Sequence, residues 1–142
     1  GEHGDSEVPV WSTANVAGMK ICDGDWSGSP ACDLEELNDI FKQVKNAAYE
    51  IIKRKGYTSY AIGLAVTEIV KAILRNQNRI FTVSTRVDKM YGLSEDLCIS
   101  LPSIINRGGV MKVMNLSLAE NEEKLLHKSA QTLREYIDQL DL

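Results

Sequence analysis

Two short stretches hold the side chains best suited to do chemistry. The first is Gly1-Glu2-His3-Gly4-Asp5-Ser6, which continues as Glu7-Val8-Pro9-Val10-Trp11. An imidazole changes charge close to neutral pH, which suits a group that gives a proton in one direction and takes it in the other. The glycines at 1 and 4 leave the backbone free and allow a ligand to approach closely. Glu2, Asp5 and Ser6 surround the ring with acceptors. By residue type and spacing the stretch reads either as the wall of a site or as a polar loop carrying a solvated histidine. The second stretch is Gly56-Tyr57-Thr58-Ser59. A hydroxyl there caps the helix that follows, and the free N–H groups of the first turn suit an anion such as a carboxylate. A plain helix cap accounts for it equally well.

Other chemistries lack their residues. His3 and His127 are far apart, and Cys22, Cys32 and Cys98 show no Cys-x-x-Cys spacing. No metal is therefore expected. The odd number of thiols reads as reduced and unpaired, the cytosolic pattern, with a Cys22–Cys32 bridge improbable. Asp23 and Asp25 open like a calcium loop, but the other ligands and the closing glutamate are missing. Residues 23–30 read as a turn-rich surface loop, with Trp26 folded onto it or turned toward a partner. His127 reads as a solvated helix residue with no role. Neither Gly-x-Gly-x-x-Gly nor a P-loop occurs. A net charge of −4, a pI near 5.2 and the lack of a dense basic run exclude nucleic acid or an anionic membrane as the main partner. The longest apolar run is too short for a bilayer, and no signal-peptide pattern opens the chain. With 44% hydrophobic and 25% charged residues, the 142 residues have the composition of one folded domain with its own core.

The elements that must position these groups follow from periodicity. Residues 7–22 read as a turn leading into extended chain. Asp33 with Glu36 is a capping-box variant. Leu37, Ile40, Phe41, Val44, Ala47, Ala48, Ile51 and Ile52 then form a helical stripe. Lys53, Arg54 and Lys55 fit the negative end of that helix, and Gly56 stops it. A second apolar helix, capped by Thr58 or Ser59, runs to about 75–78. Strands follow at 79–87, 97–101 and 110–116, with Pro102 ending the second or marking a bulge. Short turns make them an antiparallel meander. Ser117-Leu118-Ala119-Glu120 reads as a full capping box for a last helix reaching about Leu140. Its buried side is expected to carry Leu125, Leu126, Leu133, Tyr136, Ile137 and Leu140. The pattern predicts an α+β fold, with long helices packed on an antiparallel sheet.

The first stretch resembles the active-site signature of the L-lactate dehydrogenases, and Val8-Pro9-Val10-Trp11-Ser12 extends the likeness. Lys55-Gly56-Tyr57-Thr58-Ser59-Tyr60-Ala61-Ile62-Gly63-Leu64 is similar to a second family segment, with Tyr60 where the family has Trp. Val83-Ser84-Thr85 and Tyr91-Gly92 resemble two further family motifs in the same order. The resemblance runs along the whole chain but covers only the C-terminal half of such an enzyme. It implies the C-terminal domain fold of the lactate/malate dehydrogenase superfamily over residues 1–142. It also implies NAD as cofactor and the interconversion of pyruvate and L-lactate, the fermentative step after glycolysis. His3 would be the catalytic proton donor and acceptor, Thr58 would shape the substrate pocket, and Ile62 would contact the nicotinamide. The N-terminal dinucleotide-binding half is absent from this chain, and with it the residues that orient the histidine and clamp the carboxylate. The chain therefore reads as a fragment with no turnover of its own. A complete cytoplasmic homotetramer is what the resemblance implies. A malate dehydrogenase of lactate-like type fits less well, because Glu2 and residues 56–59 look lactate-like. The reading from a different class is a stand-alone, non-enzymatic interaction or oligomerisation module.

Overall fold

The computed structural model describes residues 1–22, 33–87, 89–93 and 96–140. The turn-rich loop at 23–30 with Trp26, and Cys32, lie outside the described residues. In chain order, a short 3-10 turn at Trp11–Thr13 leads into a hairpin of β1 (Asn15–Val16) and β2 (Met19–Lys20). Helices α1 (Leu34–Lys55) and α2 (Tyr60–Leu74) follow. The meander β3 (Arg79–Arg86), β4 (Cys98–Asn106) and β5 (Gly109–Val113) precedes α3 (Glu120–Ile137). The sheet order β3-β4-β5 with antiparallel pairing is the expected meander.

Both ends of α1 are set by the residues the sequence singled out. The Asp33 carboxylate accepts from the backbone N–H of Glu35 at 2.9 Å and of Glu36 at 3.3 Å, satisfying donors the helix leaves free. Gly56 adopts a φ of 86° and its N–H donates to Ile52 O at 2.7 Å. A side chain at 56 would meet nothing within 4 Å, so the constraint there is torsional. Gly56→Ala is expected to cost about 1–2 kcal/mol, read as a lower midpoint in urea. An unchanged midpoint would show that the turn re-forms without a left-handed residue.

The stripe on α1 is largely uncovered. Leu37 is buried and Phe41 half-buried, whereas Ile40, Val44, Ile51 and Ile52 are exposed. A 3.6-residue period identifies the apolar face of a helix but not what covers it. The stretch around Glu7, Pro9 and Trp11 lies against the start of that face, beside Ile40, Phe41 and Val44. Helix α2 lies across β4 and buries Ala72 completely, while Leu64, Val66, Val70 and Leu74 remain exposed.

The core lies between β4 and α3. Ile99, Leu101, Ser103 and Ile105 alternate inward along β4. Ile99 and Leu101 meet Val87, Leu93, Leu97, Leu126 and Ala130, with Tyr91, Val113, Leu118, Leu133 and Ile137 packed around them. Strand β4 is longer than its apolar run suggested and passes straight through Pro102, which pairs with Thr82. The carbonyl of Pro102 accepts from Met114 N–H at 2.8 Å, just past the end of β5. The Pro102 nitrogen therefore faces Met114 at the end of this pairing, so proline costs the ladder a single terminal bond there. The register break lies a little further on, between Ile104 and Ile105.

Helix α3 corrects two expectations. Its N-cap is Ala119, two residues later than the expected Ser117, and only the returning half of the capping box forms. The Glu122 carboxylate accepts from the Ala119 N–H at 2.9 Å, and alanine has no side-chain oxygen to complete the exchange. The buried face carries Glu122, Leu126, Ser129 and Ala130, whereas Leu125, Tyr136 and Leu140 are exposed. Two polar residues occupy core positions on this face, and both bond to the N-terminal segment.

Candidate functional site

Residues 1–6 form a loop fastened to β4, the central strand of the sheet, and to α3. Gly1 and Ser100 exchange both backbone hydrogen bonds, the Gly1 nitrogen donating to Ser100 O at 2.6 Å and Ser100 N–H to Gly1 O at 3.1 Å. The Glu2 N–H donates to Ser129 Oγ at 2.6 Å. The Glu2 carboxylate then folds over the loop and accepts from the Ser6 N–H at 3.0 Å and from the Ser6 hydroxyl. A Cβ at Gly4 would run into that carboxylate, and one at Gly1 would lie 2.7 Å from Ser129 Oγ. A side chain at either position would therefore push a neighbouring side chain of the loop's hydrogen-bond network aside. His3 stands at the tip, exposed, with its imidazole bonded to none of the described residues.

The far side of the loop is tied to α1. Asp5 Oδ1 accepts from the Tyr49 hydroxyl at 3.2 Å and lies 3.7 Å from Lys45 Nζ. The charge of Asp5, with its hydrogen bond, holds the Tyr49 phenol above its ordinary range. Further along, Ser12 is clamped to α3. Its N–H donates to Glu122 Oε1 at 2.9 Å and its hydroxyl donates to Glu122 Oε2. Burial alone would raise the Glu122 carboxyl, but hydrogen bonds from Ser12, Ala119 and Trp11 outweigh it and hold the group below the usual glutamate value.

Thr58 and Ile62 belong to a second patch, at the start of α2. Ser59 is the N-cap, its carbonyl accepting from Gly63 N–H at 2.9 Å, but its side chain makes no capping bond. Thr58 is half-buried, and Ile62 is 57% exposed in the first turn of α2. The Lys55 ammonium lies 4.1 Å from the Tyr60 ring centroid and 5.0 Å from that of Tyr57. This bridges the turn that carries Thr58 and uses Tyr60 as a cation–π partner.

Helix α1 links the two patches, since Lys45 and Tyr49 hold Asp5 while Thr58 lies just beyond the helix end. Six residues separate Tyr49 from Lys55, roughly 9 Å of helix. Among the described residues no hydrogen bond joins His3 to Thr58 or Ile62. A hollow of about 290 Å³ behind the loop is lined by Gly1, Val8, Val10, Tyr91, Leu101 and Leu126 among others. The groove on its outer side runs past Glu2, Asp5, Ser6, Tyr49 and Tyr136. No cluster of His, Cys, Asp or Glu able to hold a metal occurs among the described residues. No described helix is long and apolar enough to cross a membrane.

The residues that fix the loop, Ser100, Glu122 and Ser129, escaped the sequence reading. Their only local signal is the spacing of Glu122, Leu126, Ser129 and Ala130, which places two polar side chains on an otherwise apolar face.

These features define a class of domain, three helices on antiparallel sheets that present an exposed imidazole on a tightly fastened loop. Residues 1–141 match the family described as lactate/malate dehydrogenase, alpha/beta C-terminal domain, and the chain belongs to that family. It is 52% identical over 140 residues to an L-lactate dehydrogenase of Synechococcus sp. (strain JA-3-3Ab), which covers 99% of this chain and 44% of that protein. It is 48% identical to an L-lactate dehydrogenase of Gloeobacter violaceus, over 97% of this chain and 42% of that protein. Among solved structures, the minor L-lactate dehydrogenase of Enterococcus mundtii superposes with a TM-score of 0.91 at 39% identity, over all of this chain and 45% of that one. A lactate dehydrogenase from a Medee basin deep-sea metagenome library gives 0.90 at 40% identity, over 97% of this chain and 44% of that one. The chain thus spans under half the length of the relatives it matches.

Proposed function

We propose that this chain is the substrate-side, C-terminal domain of an NAD-dependent L-lactate dehydrogenase that interconverts pyruvate and L-lactate. The observation that carries this reading is the exposed His3 on a loop fastened at both ends, in a chain about half identical to proteins of that name. The nicotinamide cofactor, when bound, supplies the hydride that pyruvate accepts. His3 gives its proton to the carbonyl oxygen and takes it back from the hydroxyl of lactate in reverse. Thr58 borders the pocket that receives the substrate. Ile62 offers an uncovered apolar side chain in the first turn of α2, which fits the face of a nicotinamide ring. The residues that hold the dinucleotide itself, and those that orient the imidazole and bind the carboxylate, belong to an N-terminal half. The exposed apolar side chains of α1 and α2 support contacts with that half and with other subunits, in a cytoplasmic homotetramer.

The test is NADH oxidation by the complete protein with pyruvate and, separately, with oxaloacetate. Pyruvate is expected to be the better substrate by kcat/KM. Preference for oxaloacetate would make the enzyme a malate dehydrogenase, and activity with neither would favour a non-enzymatic module. The 142-residue chain alone is expected to give no turnover, because an imidazole without its orienting partner loses control of tautomer and pKa.

A further inference from the structure

Ser129 is fully buried in the middle of α3. A serine inside a helix commonly turns its hydroxyl back to the carbonyl one turn earlier. Ser129 instead aims at the loop that carries His3. Its Oγ accepts from the Glu2 N–H at 2.6 Å and lies 3.3 Å from Ser6 Oγ. Each hydroxyl has a single proton to give. The proton of Ser6 goes to the Glu2 carboxylate, which leaves Ser129 as donor to Ser6. The bonds then close a ring in one direction: Glu2 N–H to Ser129, Ser129 to Ser6, and Ser6 back to the Glu2 carboxylate. Every donor in it has an acceptor, and the charged carboxylate strengthens the last link. The ring fastens residues 2 and 6, the two feet of the turn on which His3 stands.

We infer that Ser129 is a positioning residue for His3: a buried hydroxyl on α3 that fixes where the imidazole points without touching substrate. The inference rests on the proposed function for its catalytic consequence, but not for its geometry. Glu122 holds the same segment further along, through Ser12, so the helix fixes the exit of the segment while Ser129 fixes the turn itself. Displacing a catalytic group by about 1 Å costs on the order of a hundredfold in rate, and loss of one of the loop's several anchors should give part of that.

The experiment uses the complete protein with isotope-labelled histidine. Ser129→Ala and Ser6→Ala are compared with Ala130→Gly, which loosens the neighbouring turn of α3 without touching the loop. Two readings are taken, kcat for pyruvate reduction across pH and the NMR resonances of the His3 ring. Ser129→Ala is expected to lower kcat at least tenfold, leave KM for NADH within twofold, and shift the His3 resonances. Ser6→Ala should do the same from the other side of the ring, and combining the two should add little. Ala130→Gly should lower thermal stability while kcat and the His3 resonances stay as in wild type. A folded Ser129→Ala protein with kcat within twofold of wild type, or with unmoved His3 resonances, overturns the inference. If Ser129→Ala does not fold, Ser6→Ala decides by the same readings. If the wild-type protein itself does not reduce pyruvate, the functional reading falls, and the His3 resonances alone decide whether the ring positions the loop.

Discussion

If the proposed function holds, replacing His3 with asparagine in the complete protein lowers kcat for pyruvate reduction by roughly 10²–10⁴-fold, the range that a positioned general acid contributes. Asparagine keeps a hydrogen-bond donor of similar reach but has no proton to release near neutral pH. Because the imidazole is exposed and bonded to none of the described residues, its loss should leave the fold intact. The ring of Glu2, Ser6 and Ser129 bonds does not involve it. The expected pattern is a fall in kcat with unchanged thermal stability and unchanged KM for NADH. Steady-state kinetics beside a thermal melt check this. A loss below tenfold would remove His3 from the proton transfer.

The largest expected effect on stability is at Glu122. Glu122 is 4% exposed, and its carboxylate collects the Ser12 N–H and hydroxyl and the Ala119 N–H. Glu122→Ala strands these donors in a place water reaches poorly. At ~1–3 kcal/mol for each buried group left unpaired, partly recovered by relaxation, the expected loss is about 3 kcal/mol. Glu122→Gln is also expected to destabilise, since its amide turns an N–H₂ group toward donors.

The pH dependence has a definite sign. The folded state holds the Glu122 carboxyl below its ordinary value of 4.5, so the native protein binds this proton less readily than the unfolded chain. The stabilisation is therefore fully present above that value and is lost as pH falls through the lower, folded one. In urea denaturation, the gap between wild type and Glu122→Gln should be constant from neutral pH to about 5 and narrow below 4.5. A gap independent of pH would mean that Glu122 acts through packing and not through its charge.

The sequence disclosed some parts of this structure and hid others for physical reasons. Asp33 and Gly56 act through their own local geometry, a cap and a left-handed turn, so the ends of α1 were readable. The antiparallel meander followed from short turns between β-branched runs. Proline argues against a central strand, so the sequence pattern ends this strand at Pro102, and only the tertiary arrangement shows that Pro102 meets Met114 just past the end of β5 and forgoes one terminal bond. The first turn of α3 was misplaced because Ser117 and Glu120 match a cap pattern. Glu122 is instead recruited by both Ala119 and Ser12, the latter more than 100 residues away. The local pattern shows a polar residue on an apolar face but not which distant residue it meets.

The site shows the same division. His3, Thr58 and Ile62 were marked by residue type and resemblance, whereas the Ser100, Glu122 and Ser129 contacts that hold the loop join distant parts of the chain. The apolar stripe of α1 was read correctly as a stripe, but its period could not reveal that most of it lies bare within this domain.

The role proposed for His3 is to pass a proton to pyruvate. The most direct measurement is a crystal structure of the complete protein with NADH and a non-reducible pyruvate analogue. The His3 imidazole is expected within about 2.6–3.2 Å of the analogue's carbonyl oxygen, with Thr58 beside the same molecule and Ile62 against the nicotinamide. An analogue seated elsewhere, with His3 still facing solvent, would contradict it.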